Sequence, residues 1–172
     1  MSKTPIREAL RALGKEGLVR YLPRKGYFVL ALDYEEIKDI IELRMVLETY
    51  ALRKGFDRID REKMRKLSAR FEDSYEGLKK GDENRYLNAD YQFHLEIIRS
   101  AGNKRIAEMY EGLKGSIDLL RLAHGEEVGK SMPEHRLVIK AILNNDLETA
   151  LDGLKAVFDK IQGFFIVAYP RQ

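Results

Sequence analysis

The chain has 172 residues, long enough for one well-buried domain with a small appendage. Its apolar fraction of 44% and charged fraction of 34% suit a strongly helical, water-facing protein, and no apolar run is long enough to cross a bilayer. There is no cysteine, which excludes disulfides and thiolate metal sites, so any metal must be held by His, Asp, Glu or water. No signal-peptide pattern opens the chain, and the expected location is the cytoplasm. The net charge of +3 is unevenly spread. Residues 1–32 carry seven Lys/Arg against two Asp/Glu, whereas the remainder is slightly acidic. A basic piece joined to an acidic body suits a nucleic-acid contact attached to a domain that does not bind nucleic acid.

Thr4 followed by Pro5 is a helix-start signal. Ile6, Ala9, Leu10 and Leu13 then recur at helical spacing, while Lys3, Arg7 and Arg11 form a cationic stripe on another face. Gly14 and Gly17 are expected to end this helix. The segments LVRYLP and GYFVLAL read as two strands joined by a turn at Pro23-Arg24-Lys25-Gly26. A basic helix followed by a basic hairpin is the outline of a winged helix-turn-helix.

From Asp33 the periodicity is helical throughout. Asp33 and Glu36 make a capping box, and Ile37, Ile40, Ile41, Leu47 and Ala51 mark the inner face of the first body helix. A second helix is expected from Asp60 to Lys79 and a third from Glu83 to Ser100, ended near Gly102. The pattern predicts a fourth from Lys104 to about His124. A fifth is opened by a capping box around Ser131, Pro133 and Glu134, and broken at Asn144 and Asn145. Asp146 caps a sixth, which runs to Phe164 and Phe165. Short connections between six helices predict an antiparallel bundle over residues 33–172, preceded by a partial winged helix over residues 1–32.

Ionisable groups interrupt the apolar stripes. Arg44 points inward with Ile37 and Ile40, with Glu48 one turn later as its natural partner. Asp90 and His94, four apart, share the face of Leu87, Tyr91 and Ile98. Arg121 and His124 continue the stripe of Tyr110, Leu113, Ile117 and Leu120, and His135 begins that of Val138, Ile139 and Ile142. Buried charge is costly without a partner, metal or ligand, so this convergence predicts a polar cavity inside the bundle. Asp and His one turn apart form a bidentate clamp that a His from another helix can close.

The stretch SKTPIREALRALGKEGLVRYLPRKGYFV resembles the recognition helix and wing of the GntR family of bacterial transcription regulators. The stretches IELRMVLE, NADYQFHLEIIRSAGN and PEHRLVIKAILNNDLETA resemble the FCD effector domain of its FadR-type members, and six helices suit the VanR-like branch. The first resemblance implies DNA contacts at Lys3, Thr4, Arg7, Lys25 and Gly26, with Lys3 where arginine is usual. It also implies about two further helices ahead of Thr4. The winged helix-turn-helix is thus read as N-terminally truncated, and the chain as given is expected to bind DNA poorly.

The second resemblance implies a divalent metal, zinc or nickel, at Asp90, His94 and His135. It also implies a pocket for a small organic acid formed with the help of Arg44, and the inward Arg121 is a second candidate for the acid's carboxylate. The family's third histidine corresponds to Val157, leaving His124 as a substitute ligand. The expected function is a dimeric, effector-responsive regulator of operator DNA, with no catalytic residue. The alternatives are a small metal-dependent enzyme and a structural helical dimer without ligand.

Overall fold

The computed structural model describes residues 3–15, 18–30, 32–124, 127 and 129–168; the side chains of Lys3, Leu122 and His124 lie outside that description. Helix α1 spans Lys3–Lys15 and carries Gly14 within its last turn. Strands β1 (Val19–Leu22) and β2 (Gly26–Val29) pair antiparallel, with Val19 opposite Val29 and Leu22 opposite Gly26. Both Arg24 (φ 64°) and Gly26 (φ 98°) are left-handed in the connecting turn. Glycine takes that conformation without a Cβ clash, which fixes the tight tip of the hairpin.

The body begins at Asp33. The sequence-predicted capping box is present: the Asp33 carboxylate accepts from the Glu36 amide at 2.8 Å, and Glu36 accepts from the Asp33 amide at 3.0 Å. It opens α2 (Tyr34–Gly55), followed by a 3-10 turn, then α3 (Arg61–Leu78) and α4 (Glu83–Ser100). The expected fourth body helix is two, α5 (Lys104–Gly112) and α6 (Lys114–His124). The Leu113 amide turns back to Tyr110, while its carbonyl accepts from Ile117 and starts the next helix. Gly112 and Gly115, both weak helix formers, flank the break. The body therefore has seven helices among the described residues where the pattern predicts six.

Helix α7 (Met132–Leu143) and α8 (Leu147–Ala168) complete the bundle. The expected capping box at Ser131 is absent: the Ser131 side chain makes no cap bond, and its carbonyl is used elsewhere, as described below. The core is apolar and aromatic, with Ile37, Leu52, Phe71, Phe93, Ile97, Tyr110 and Phe158 all fully or almost fully buried. Helix α4 is central, packing against α2 on one side and α3 on another, while α8 lies against both α7 and α2. Three of the helices that carry the inward ionisable groups, α2, α4 and α7, are thereby held around one interior.

Two close approaches tighten this arrangement. At the end of α2, Gly55 lies so near Ser100 of α4 that a Cβ there would collide with the Ser100 backbone. Arg58 then donates to the Ser100 and Ala101 carbonyls at 3.1 and 2.8 Å, and to the Lys54 carbonyl at 3.2 Å. One cation thus satisfies the open carbonyl ends of both helices, where a positive charge is also favoured. Gly55→Ala is expected to destabilise the fold by about 1–3 kcal/mol, because the helices must part to admit the methyl group. Urea denaturation measures this directly.

Candidate functional site

The interior holds Arg44 and Glu48 from α2, Asp90 and His94 from α4, Arg121 from α6 and His135 from α7, all buried. The structure thus brings together Arg44, Asp90, His94, Arg121 and His135. Of the DNA-contact residues, Thr4 and Arg7 are exposed on α1, and Lys25 and Gly26 lie at the hairpin tip. The side chains of Lys3 and of the substitute ligand His124 lie outside the described residues. Val157 is fully buried on α8, one turn before Ile161, which lines the cavity at the centre of the cluster.

Asp90 Oδ1 lies 3.6 Å from His94 Nε2 and 3.1 Å from His135 Nε2, and the two Nε2 atoms are 3.1 Å apart. The other nitrogen of each ring is committed. His135 Nδ1 donates to the Ser131 carbonyl at 2.7 Å, and a carbonyl can only accept. His94 Nδ1 donates to Glu48 Oε2 at 2.5 Å. In neutral rings both Nε2 atoms are therefore bare lone pairs, aimed at each other and at a carboxylate oxygen. Three lone pairs at these separations repel unless positive charge lies among them.

The donor set fits a divalent cation. Ligand atoms about 2.1 Å from one metal are separated by about 3.0 Å in octahedral and about 3.4 Å in tetrahedral geometry. The observed edges of 3.1, 3.1 and 3.6 Å lie within about 0.2 Å of one or other of these values. Two imidazoles and one carboxylate on one side of an ion leave its remaining positions open.

The surroundings hold the ligands still. Phe71 and Phe93 meet His135 edge-on at 5.1 and 5.6 Å, and Phe93 meets His94 at 5.1 Å. Arg121 donates to Asp90 Oδ2, which leaves Oδ1 for the imidazoles. Arg44 Nε donates to Glu48 Oε1 at 3.1 Å, and the guanidinium lies over the Phe158 ring, 5.3 Å from its centroid. Its Nη2 is buried without a hydrogen-bond partner in the described structure. Arg44, Tyr86, Asp90, His94 and Arg121, with Leu120 and Ile161, line a cavity of about 40 Å³. That is room for an ion and a water, or for one small polar group.

Burial opposes every charge here, and the neighbours outweigh it. Asp90 is held well below the usual carboxylate range by Arg121 and His94, and Glu48 is lowered by His94 and Arg44. His94 is raised from 6.5 because Glu48 and Asp90 favour the imidazolium despite its burial. Burial pushes the Tyr110 phenol well above its ordinary value, so it is neutral.

Residues 39–160 match the FCD domain. Over 95% of its length the chain is 32% identical to the gluconate operon transcriptional repressor of Bacillus licheniformis, spanning 70% of that protein. The chain belongs to the GntR family of transcription regulators, FCD type. The corresponding repressor of Bacillus subtilis is 30% identical and is likewise spanned over 70% of its length. A GntR regulator from Rhodococcus sp. RHA1 shares the fold, with TM-score 0.80 at 20% identity over 98% of this chain and 82% of that one. The FCD domain of the regulator TM0439 matches both metal-free (TM-score 0.70, 28% identity) and zinc-bound (0.69, 27%), over 80% of this chain and 96% of that one in each form. The chain is a regulator and not an enzyme, in keeping with these relatives. No helix among the described residues is long and apolar enough to cross a membrane.

The sequence pattern turns five of the six ionisable groups inward, where the structure has them buried, and treats Glu48 only as the partner of Arg44. Its bond to His94 joins helices 46 residues apart and leaves no local signal, whereas the Ser131 carbonyl under His135 lies one turn away but is a backbone group that residue type does not reveal.

The raised His94 value means that protonated His94 stabilises the metal-free fold fully below about pH 6.5 and that this contribution is lost as pH rises through the raised value. The lowered Asp90 and Glu48 contribute above the ordinary carboxylate range and lose their effect as pH falls through their folded values. Metal-free protein is therefore expected to melt highest at mildly acidic pH and to soften on both sides. His94→Asn should flatten the alkaline side, as read by melting temperature against pH.

Proposed function

We propose that the FCD bundle of this regulator senses a small organic acid at a centre formed by Asp90, His94 and His135, with a divalent metal as its cofactor. The observation that carries this reading is the meeting of three lone pairs, each fixed by a committed neighbour, beside the unpartnered Nη2 of Arg44. A bound divalent cation, zinc or nickel, supplies positive charge to those lone pairs and a seat for an acid's carboxylate. Arg44 is placed to donate to that carboxylate from the cavity wall. Arg121 holds Asp90 in place and adds a second positive charge. Val157 offers no donor where a third imidazole belongs in the family pattern, so the positions left open favour oxygen atoms of the effector or water.

Charge balance supports an anionic guest. Arg44 and Arg121 offset Glu48 and Asp90, so either a cation at the triad or a proton on His94 leaves the interior positive. Its small volume favours one carboxylate of a small acid over a bulky anion. Binding would shift the population of bundle arrangements, and through a homodimer alter how two winged helices span paired half-sites of an operator. Exposed apolar side chains on α2 (Val46, Tyr50) and at the end of α8 (Ile166, Val167) are the candidate dimer contacts.

On this reading residues 1–32 are the DNA-reading piece and residues 33–172 the effector and dimerisation domain. Lys3, Thr4 and Arg7 of α1, with Lys25 and Gly26 of the wing tip, face the DNA.

Two measurements test the proposal. Zinc or nickel followed by a panel of small mono- and dicarboxylic acids should raise the melting temperature, and Arg44→Met should abolish the acid increment. Absence of any shift with metal and acids removes the sensing site. For the DNA-reading piece, in a chain that also carries the helices the resemblance implies ahead of Thr4, Arg7→Ala is expected to weaken binding to duplex DNA and to reduce the slope of log affinity against log salt by about one. Unaltered affinity and slope would take α1 out of the interface.

A further inference from the structure

We infer that Glu48 is the positioning residue of this centre, locking His94 as a cation ligand and Arg44 as an anion receptor through its two carboxylate oxygens. The inference rests on the metal reading above and adds a residue to it. Glu48 is completely buried on α2, one turn beyond Arg44. Oε1 accepts from Arg44 Nε and Oε2 from His94 Nδ1, on a helix 46 residues away in sequence.

Each bond settles a choice the partner would otherwise have. An imidazole has two tautomers, and only the one with its proton on Nδ1 turns a bare Nε2 towards Asp90 and His135. A carboxylate behind the ring selects that form, fixes the ring plane and makes the ligand nitrogen a stronger donor. Arg44 likewise could offer any edge of its guanidinium. With Nε engaged by Glu48 and the plane resting on Phe158, the Nη2 end remains for a guest.

The two histidines differ in this respect. His135 is backed by the Ser131 carbonyl, which is neutral, whereas His94 is backed by a full negative charge. His94 is thus the stronger of the two donors. The asymmetry has a purpose, because with Val157 on α8 three protein donors meet at the centre among the described residues. A more basic imidazole offsets part of what the missing ligand would supply.

The test is zinc affinity measured by calorimetry, together with the His94 tautomer read from ring 15N chemical shifts. Because Glu48→Gln alone leaves Arg44 buried without a counter-charge, the comparison is made between Arg44→Met and Arg44→Met/Glu48→Gln. The added E48Q change is expected to weaken zinc binding ten- to a hundredfold. In metal-free wild type at alkaline pH, His94 should show a protonated Nδ1 and a bare Nε2. Equal zinc affinity in the two variants overturns the inference, as does a wild-type His94 protonated on Nε2. The tautomer measurement needs no variant and so stands even if the double substitution fails to fold. Wild-type protein that takes up no zinc defeats the metal reading beneath the inference, a result separable from either of these.

Discussion

Two imidazole nitrogens and a carboxylate oxygen meet in the interior within 3.1–3.6 Å of one another, and that encounter constrains everything built around it. Both imidazoles are buried, and the protein has already used the opposite nitrogen of each ring. The repulsion is stable only when positive charge lies among the three. A proton on His94 provides it in part, favoured by the Glu48 and Asp90 carboxylates despite burial. A divalent cation provides it in full, and the spacing of the three atoms suits one.

The fold meets this constraint by dividing the centre among its helices. Asp90 and His94 ride together on α4, whose neighbours α2 and α3 pin it from two sides. His135 arrives from α7 with its first turn tied to the Ser131 carbonyl, and Arg121 from α6. Aromatic rings from α3, α4 and α8 fill the space behind the imidazoles, so small shifts of a ligand are resisted by packing as well as by hydrogen bonds. A guest that draws on Arg44 therefore pulls on α2, and one that draws on His94 pulls on α4. On the proposed reading, that movement is what would carry a signal from the cavity to the apolar faces α2 and α8 present outward.

Much of this was legible in the residue order. Helix α4 begins and ends where the pattern placed it, at Glu83 and Ser100, because Asp82 ahead of it and Gly102 behind it are strong local punctuation. The capping box at Asp33 was visible for the same reason. Inward ionisable groups showed as breaks in apolar stripes, since a four-residue step fixes which side chains share a face. The break at Leu113 escaped notice because the apolar stripe runs on across it, even though Gly112 and Gly115 mark the weak point. Ser131 and Pro133 suggested a cap that the helix does not use. Glu48 is legible only as the neighbour of Arg44 on the same helix, since nothing in a stripe tells that a carboxylate will meet an imidazole from another helix.

The most direct test of the central claim is anomalous diffraction at the zinc edge from crystals soaked in zinc. The account predicts one strong peak at ligand distance from Asp90 Oδ1, His94 Nε2 and His135 Nε2 together. A zinc-saturated crystal with no peak there, and the two imidazoles still meeting at Nε2, would contradict it.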